Sequence, residues 1–137
     1  NDAFKASIKY LEALTKSYEY DLIAGIDARG FIFASCLALN LNKGIVMIRK
    51  KNKLPGQVIS LEYDLEYGTA TLELQPGNGQ VVIVDDVLAT GGTLQATNDL
   101  AEKAGYEVVG NLVLVDLKYV PRIDNFNLNV RSVVKYA

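Results

Sequence analysis

Residues 81–84, Val-Val-Ile-Val, constrain the fold most tightly. Four consecutive β-branched side chains read as a strand buried in a core, the kind found in parallel sheets covered by helices. The run stops at two adjacent acids, Asp85 and Asp86, and soon reaches Gly91, Gly92 and Thr93, where a helix pattern begins. A buried strand, a glycine turn and a helix in succession are one unit of an α/β fold.

The flanking sequence repeats that alternation. Phe4, Ile8, Leu11, Leu14 and Tyr18 recur at helical spacing, with Asn1 or Asp2 able to cap the start. The strand "LIAGI" follows, then the turn "DARG", then a second helix from about Phe31 to Asn40. The strand "GIVMIR" runs into the basic cluster Arg49, Lys50, Lys51 and Lys53, and Pro55 and Gly56 break the chain. Residues 57–75 read as two extended, partly exposed segments around a mobile loop. "QPGNGQ" is a turn, Leu94 to Ala104 a helix stopped by Gly105, and "VVGNLVLVDL" and "NLNVRSVVKY" the last strands. The expectation is an α/β domain spanning residues 1–137, with a mostly parallel central sheet flanked by helices. Ligands of such sheets bind at the carboxyl ends of the strands, where "DARG", "RKKNKLPG" and "DDVLATGGT" all fall.

Composition narrows the chemistry. The chain has no histidine, which excludes Ser-His and Cys-His catalysis and every histidine-containing metal site. Its single cysteine, Cys36, rules out an internal disulfide and reads as a buried, inert thiol in "FIFASCLAL". A net charge of −2 gives no overall basic footprint for nucleic acid. No apolar run is long enough to span a bilayer and no signal peptide is evident, so the expectation is a cytosolic protein with no membrane partner. The sequence opens at Asn1 rather than methionine, which suggests a processed or truncated start.

The glycine turn can form an anion cradle. Glycines and small residues let successive backbone N–H groups turn inward, the following helix adds the positive end of its dipole, and Thr90 and Thr93 supply hydroxyls. Asp85 and Asp86 would repel a phosphate but can accept hydrogen bonds from sugar hydroxyls. The plainer alternative is two solvated acids and a helix cap. Neither a Walker A loop nor a "GxGxxG" turn is present. Arg29, beside Gly30, offers a guanidinium to a second anion such as a pyrophosphate, although Asp27 and Arg29 could simply pair. The basic cluster at the next strand end adds to that site or merely faces water. On spacing alone, neither Glu62 nor Glu66 is distinguished from an inert exposed acid.

"VVIVDDVLATGGT" resembles the phosphoribosyl-pyrophosphate signature of the type I phosphoribosyltransferases. "GIDARGF", "IRKKNKLPG" and "LEYGTATLEL" are similar, more narrowly, to the adenine-specific branch of that family, and the four motifs run in order along the whole chain. The resemblance implies the type I phosphoribosyltransferase fold with a mobile catalytic loop. It also implies transfer of ribose 5-phosphate from phosphoribosyl pyrophosphate to N9 of adenine, giving AMP and pyrophosphate with Mg²⁺, in a homodimer. Matched to the family's motifs, Ala89, Thr90, Gly91, Gly92 and Thr93 would hold the 5′-phosphate, and Asp85 and Asp86 the ribose. Arg29, Arg49, Lys50 and Lys53 would hold pyrophosphate, some of them across a dimer interface. Glu66 would handle the purine N7 proton and Leu117 would line the base pocket. Ala28 stands where serine is common in the family. The family also carries an N-terminal hood over the base, and this sequence starts where that segment should end, so weaker base selectivity or turnover is expected. The rival readings are a xanthine or guanine phosphoribosyltransferase and a catalytically weak phosphoribosyl-pyrophosphate-binding module.

Overall fold

The β-branched run becomes an interior strand of a seven-stranded sheet. A computed structural model describes residues 2–137 of the protein. The elements in chain order are α1 (Asp2–Thr15), β1 (Leu22–Ile26), α2 (Arg29–Leu41), β2 (Gly44–Lys50), β3 (Ile59–Asp64), β4 (Thr69–Leu74), β5 (Gly79–Leu88), α3 (Gly92–Lys103), β6 (Tyr106–Leu117) and β7 (Arg131–Tyr136). The strand order is β3-β4-β2-β1-β5-β6-β7. β2, β1, β5, β6 and β7 are mutually parallel, and the β3–β4 hairpin adds to the β2 edge antiparallel. The expected α/β architecture is therefore present.

Alternation along β5 divides the core between the two faces. Val82 and Val84 pack with Ile8, Leu11, Leu37 and Leu112 under α1 and α2. Val81 and Ile83 pack with Leu72, Leu94, Leu100 and Val113 under α3 and the hairpin. All four side chains are buried, as the run requires. Among the described residues, no helix is long and apolar enough to cross a membrane.

Several sequence-based boundaries shift. β5 does not stop at the acids but carries Asp85 and Asp86 within it to Leu88, because β6 continues to pair alongside. α2 begins at Arg29 and α3 at Gly92, each two residues earlier than expected, so both turn motifs feed straight into helices. α1 ends at Thr15, and Tyr18 lies beyond it with Arg131 over its ring. Residues 59–74 form a regular hairpin closed by Leu65 N–H donating to Gly68 O at 2.9 Å. Cys36 is half-buried rather than buried. Asn1, one of the two expected caps, lies outside the described residues.

α3 is locked to the sheet by a buried amide pair. Asn98 Nδ2 donates to Asn111 Oδ1 at 2.7 Å, and Asn111 Nδ2 donates back to Asn98 Oδ1 at 3.1 Å. Asn98→Ala strands the Asn111 amide in the core, where an unsatisfied polar group costs about 1–3 kcal/mol. Urea denaturation is expected to register a loss of that size; a loss below about 0.5 kcal/mol would show that the pair does not hold α3.

Candidate active site

Chain order reverses between β1 and β5: the chain leaves β1 towards β2 on one side and β5 towards β6 on the other. In an open α/β sheet the crevice at the carboxyl ends of two such strands is where ligands bind. Here it is a cavity of about 300 Å³, lined from the β1 side by Ile26 to Arg29 and from the β5 side by Asp85 to Leu94.

Two helices point their N-termini into it. α2 starts from Ala28 and α3 from Gly91, and neither N-cap residue makes a side-chain capping hydrogen bond. Neither first turn contains an acid. The positive ends of both dipoles, and the first-turn amides not already taken by Ala28 O or Thr90 Oγ1, are thus left for a ligand, and two such ends in one cavity suit two anionic groups. At the α3 end, Thr90 Oγ1 accepts from Gly92 N–H at 3.3 Å. Gly91 has φ +87°, and a Cβ there would meet Phe126 Cδ1 at 2.4 Å. Only glycine fits this turn.

The acids divide between the two sides. Asp86 Oδ2 pairs with Arg29 Nε at 2.8 Å, so Arg29 does not pair with Asp27. Asp27 instead gathers the basic cluster: Arg49 Nε lies 3.4 Å away, Lys53 Nζ 4.0 Å, and the Lys50 backbone N–H donates to it at 3.4 Å. Arg49 also lies over the Phe31 ring. Lys50 and Lys51 line a recess that shares Ile26, Asp27 and Thr93 with the main cavity. The cationic strand ends therefore converge. Among the described residues, no three acids, histidines or cysteines group as a ready-made metal cage. The half-buried carboxylates fit a hard cation that arrives on a ligand's own phosphates.

Burial pushes the Asp85 carboxyl up to about 7 from an ordinary 3.8. The charge of Asp86 acts in the same direction, while the Asp86 N–H and Arg29 pull back. A carboxyl that ionises more readily in the unfolded chain destabilises the fold as pH rises from about 4 to about 7, and the cost is complete above that. Asp85→Asn keeps the acceptor and removes the charge. It is expected to stabilise the protein by ~1–2 kcal/mol at pH 8, allowing for solvent screening, with no gain at pH 4. Equal changes in Tm at both pH values would rule out the burial of that charge as the cause.

Of the expected residues, Arg49, Lys50 and Lys53 lie beside the cavity rather than in its lining, reaching it through Asp27, and Glu66 and Leu117 stand farther apart. Glu66 is exposed in the β3–β4 turn, and Leu117 is half-buried at the end of β6. The hairpin nonetheless reaches the site through Tyr63, whose hydroxyl lies 3.3 Å from Thr93 Oγ1. Sequence reasoning missed Tyr63, and it missed the segment behind the glycine turn. There Arg122 binds both the Ala89 carbonyl and Asp116. One signal was present: Asp116 interrupts an apolar strand, and a buried acid needs a cationic partner.

Known proteins resemble this chain over nearly its whole length. A family model described as the phosphoribosyl transferase domain matches residues 2–122. The adenine phosphoribosyltransferase of Hydrogenovibrio crunogenus is 48% identical over 139 residues, covering 98% of this chain and 81% of that protein. The crystal structure of adenine phosphoribosyltransferase from Thermoanaerobacter pseudethanolicus superposes with a TM-score of 0.88 at 40% identity, covering 98% of this chain and 81% of that one. The Giardia lamblia enzyme, crystallised with 9-deazaadenine, gives 0.89 at 32% identity, covering 99% and 81%.

Proposed function

We infer that this chain, which belongs to the type I phosphoribosyltransferase family, transfers ribose 5-phosphate from phosphoribosyl pyrophosphate to adenine, giving AMP and pyrophosphate. The observation that carries the site assignment is the pair of uncapped helix N-termini facing one cavity at the β1–β5 crevice. Phosphoribosyl pyrophosphate has the matching shape: a monophosphate and a diphosphate at opposite ends of one sugar.

Residues 89–93 hold the 5′-phosphate through backbone amides and the Thr90 and Thr93 hydroxyls. Asp85 and Asp86 accept hydrogen bonds from the ribose hydroxyls. Arg29, with Arg49, Lys50 and Lys53, receives the diphosphate on the α2 side. As the glycosidic oxygen departs, negative charge builds on pyrophosphate and positive charge on the sugar. Fixed cations and amides aimed at the former stabilise the transition state more than the ground state. Mg²⁺, bound with the substrate's phosphates, would supply further charge neutralisation there. Glu66 travels with the hairpin, and closure of that hairpin brings it to the purine N7 while excluding water. Tyr63 already docks the hairpin on the phosphate loop, which supports such a closure. Leu117 lines the base side.

The chain works as a homodimer. Ile32, Leu39, Ile45 and Met47 are large apolar side chains left exposed on α2 and β2, and Leu39 is 82% exposed. A second copy covering this surface would bring its basic cluster near the site.

The reaction is tested in reverse. AMP incubated with the protein, Mg²⁺ and pyrophosphate is expected to release adenine, and to release none when pyrophosphate is omitted. Release without pyrophosphate would identify a nucleotide hydrolase instead.

A further inference from the structure

The segment after β6 packs behind residues 89–91 and takes up their carbonyls. Beyond Leu117 the chain turns back beneath residues 89–91. Arg122 Nη1 donates to the carbonyl oxygens of Ala89, Leu117 at 3.2 Å and Val120 at 3.3 Å. Arg122 Nη2 pairs with Asp116 Oδ1, and the Asp116 side chain is only 5% exposed. The next residue continues the contact, with Ile123 N–H donating to the Thr90 carbonyl at 2.8 Å. The Phe126 ring then packs on Gly91, with the Arg122 guanidinium 5.8 Å from its centre.

These contacts take two successive carbonyls of the loop, Ala89 O and Thr90 O. In a trans peptide the C=O and the following N–H point in opposite directions. The Asp27–Ala28 bond is the cis peptide recorded among the described residues, so both loop peptides are trans. Drawing Ala89 O and Thr90 O towards residues 122 and 123 turns the N–H groups of Thr90 and Gly91 the other way, towards the cavity. We propose that Arg122, fixed by Asp116, is a positioning residue that orients the loop amides for the 5′-phosphate without touching substrate. This rests on the reading of residues 89–93 as the 5′-phosphate site, and it adds a determinant outside the signature motif.

Arg122 is suited to the task because its planar guanidinium serves several acceptors at fixed angles, which a lysine ammonium cannot reproduce. Lysine in its place keeps the charge beside Asp116 but loses that geometry.

Calorimetric titration of ribose 5-phosphate and, separately, of pyrophosphate into the wild type, Arg122→Lys and Arg122→Ala tests the proposal. Ribose 5-phosphate affinity is expected to fall about tenfold or more in Arg122→Ala, the size of losing one charge-assisted hydrogen bond, and by a smaller factor in Arg122→Lys. Pyrophosphate, held at the other helix, is expected to bind within about twofold of wild type, since distant sites vary independently. Unchanged ribose 5-phosphate binding, or an equal loss for both ligands, overturns the proposal; the second result would mean general destabilisation. If Arg122→Ala does not fold, the same split read on Arg122→Lys decides. A wild type that binds pyrophosphate but not ribose 5-phosphate would overturn the reading of the 89–93 loop itself.

Discussion

Gly91→Val is expected to lose both stability and phosphoribosyl pyrophosphate affinity. The two losses share one cause. Gly91 sits at φ +87°, where an L-residue costs about 1–2 kcal/mol and a β-branched one more. Its new Cβ would also fall 2.4 Å from Phe126 Cδ1 and 2.7 Å from Cε1. Overpacking of this kind typically costs a further ~1–3 kcal/mol. Either the loop or the 116–126 segment must shift, and both outcomes misdirect the amides that face the cavity. Urea denaturation should show a loss of roughly 2–5 kcal/mol. The KM for phosphoribosyl pyrophosphate should rise by at least about tenfold in the fraction that remains folded. A variant with wild-type stability and KM would show that the turn tolerates a side chain, and the cradle would then need another explanation.

Arg29→Ala is expected to behave in the opposite way, losing turnover while keeping the fold. Its side chain is 78% exposed, and its ion pair with Asp86 is of the surface type. Such pairs contribute about 0–1 kcal/mol. The guanidinium nonetheless stands at the α2 end of the cavity, where the leaving diphosphate would gather charge. Removing one preorganised donor to a developing anion commonly lowers kcat by about 10²–10³. A kcat reduced to that extent, with a urea midpoint close to wild type, would place Arg29 in the transition state. Near-normal turnover in the folded variant would sink that role.

The contrast between these variants reflects what the sequence made legible. The glycine turn and the acids that line the cavity could be read from residues 81–93, because strand, turn and helix signals follow one another locally. The order of β-strand and helix patterns likewise gave the sheet and its ligand edge. Partner choice was not legible. Asp27 and Arg29 are two residues apart, yet each pairs elsewhere, Asp27 with Arg49 and Lys53 and Arg29 with Asp86. The strand boundary after Asp85 was missed because β6 imposes pairing that local polarity opposes. Tyr63 and Arg122 contact Thr93 and Ala89 across 30 and 33 residues of chain, and no periodicity or spacing encodes such contacts.

Glu66 marks a different limit. It is exposed in the hairpin turn, and its spacing in the sequence does not distinguish it from an inert surface acid. Its proposed role requires the hairpin to close, and the Tyr63–Thr93 contact is the point about which that closure would be organised.

The most direct measurement is AMP formation by the purified chain. Phosphoribosyl pyrophosphate and Mg²⁺ would be supplied with adenine, guanine, hypoxanthine or xanthine in parallel. AMP from adenine, with stoichiometric pyrophosphate and little product from the other three bases, is the predicted result. Nucleotide formed from guanine, hypoxanthine or xanthine but not from adenine would contradict the account.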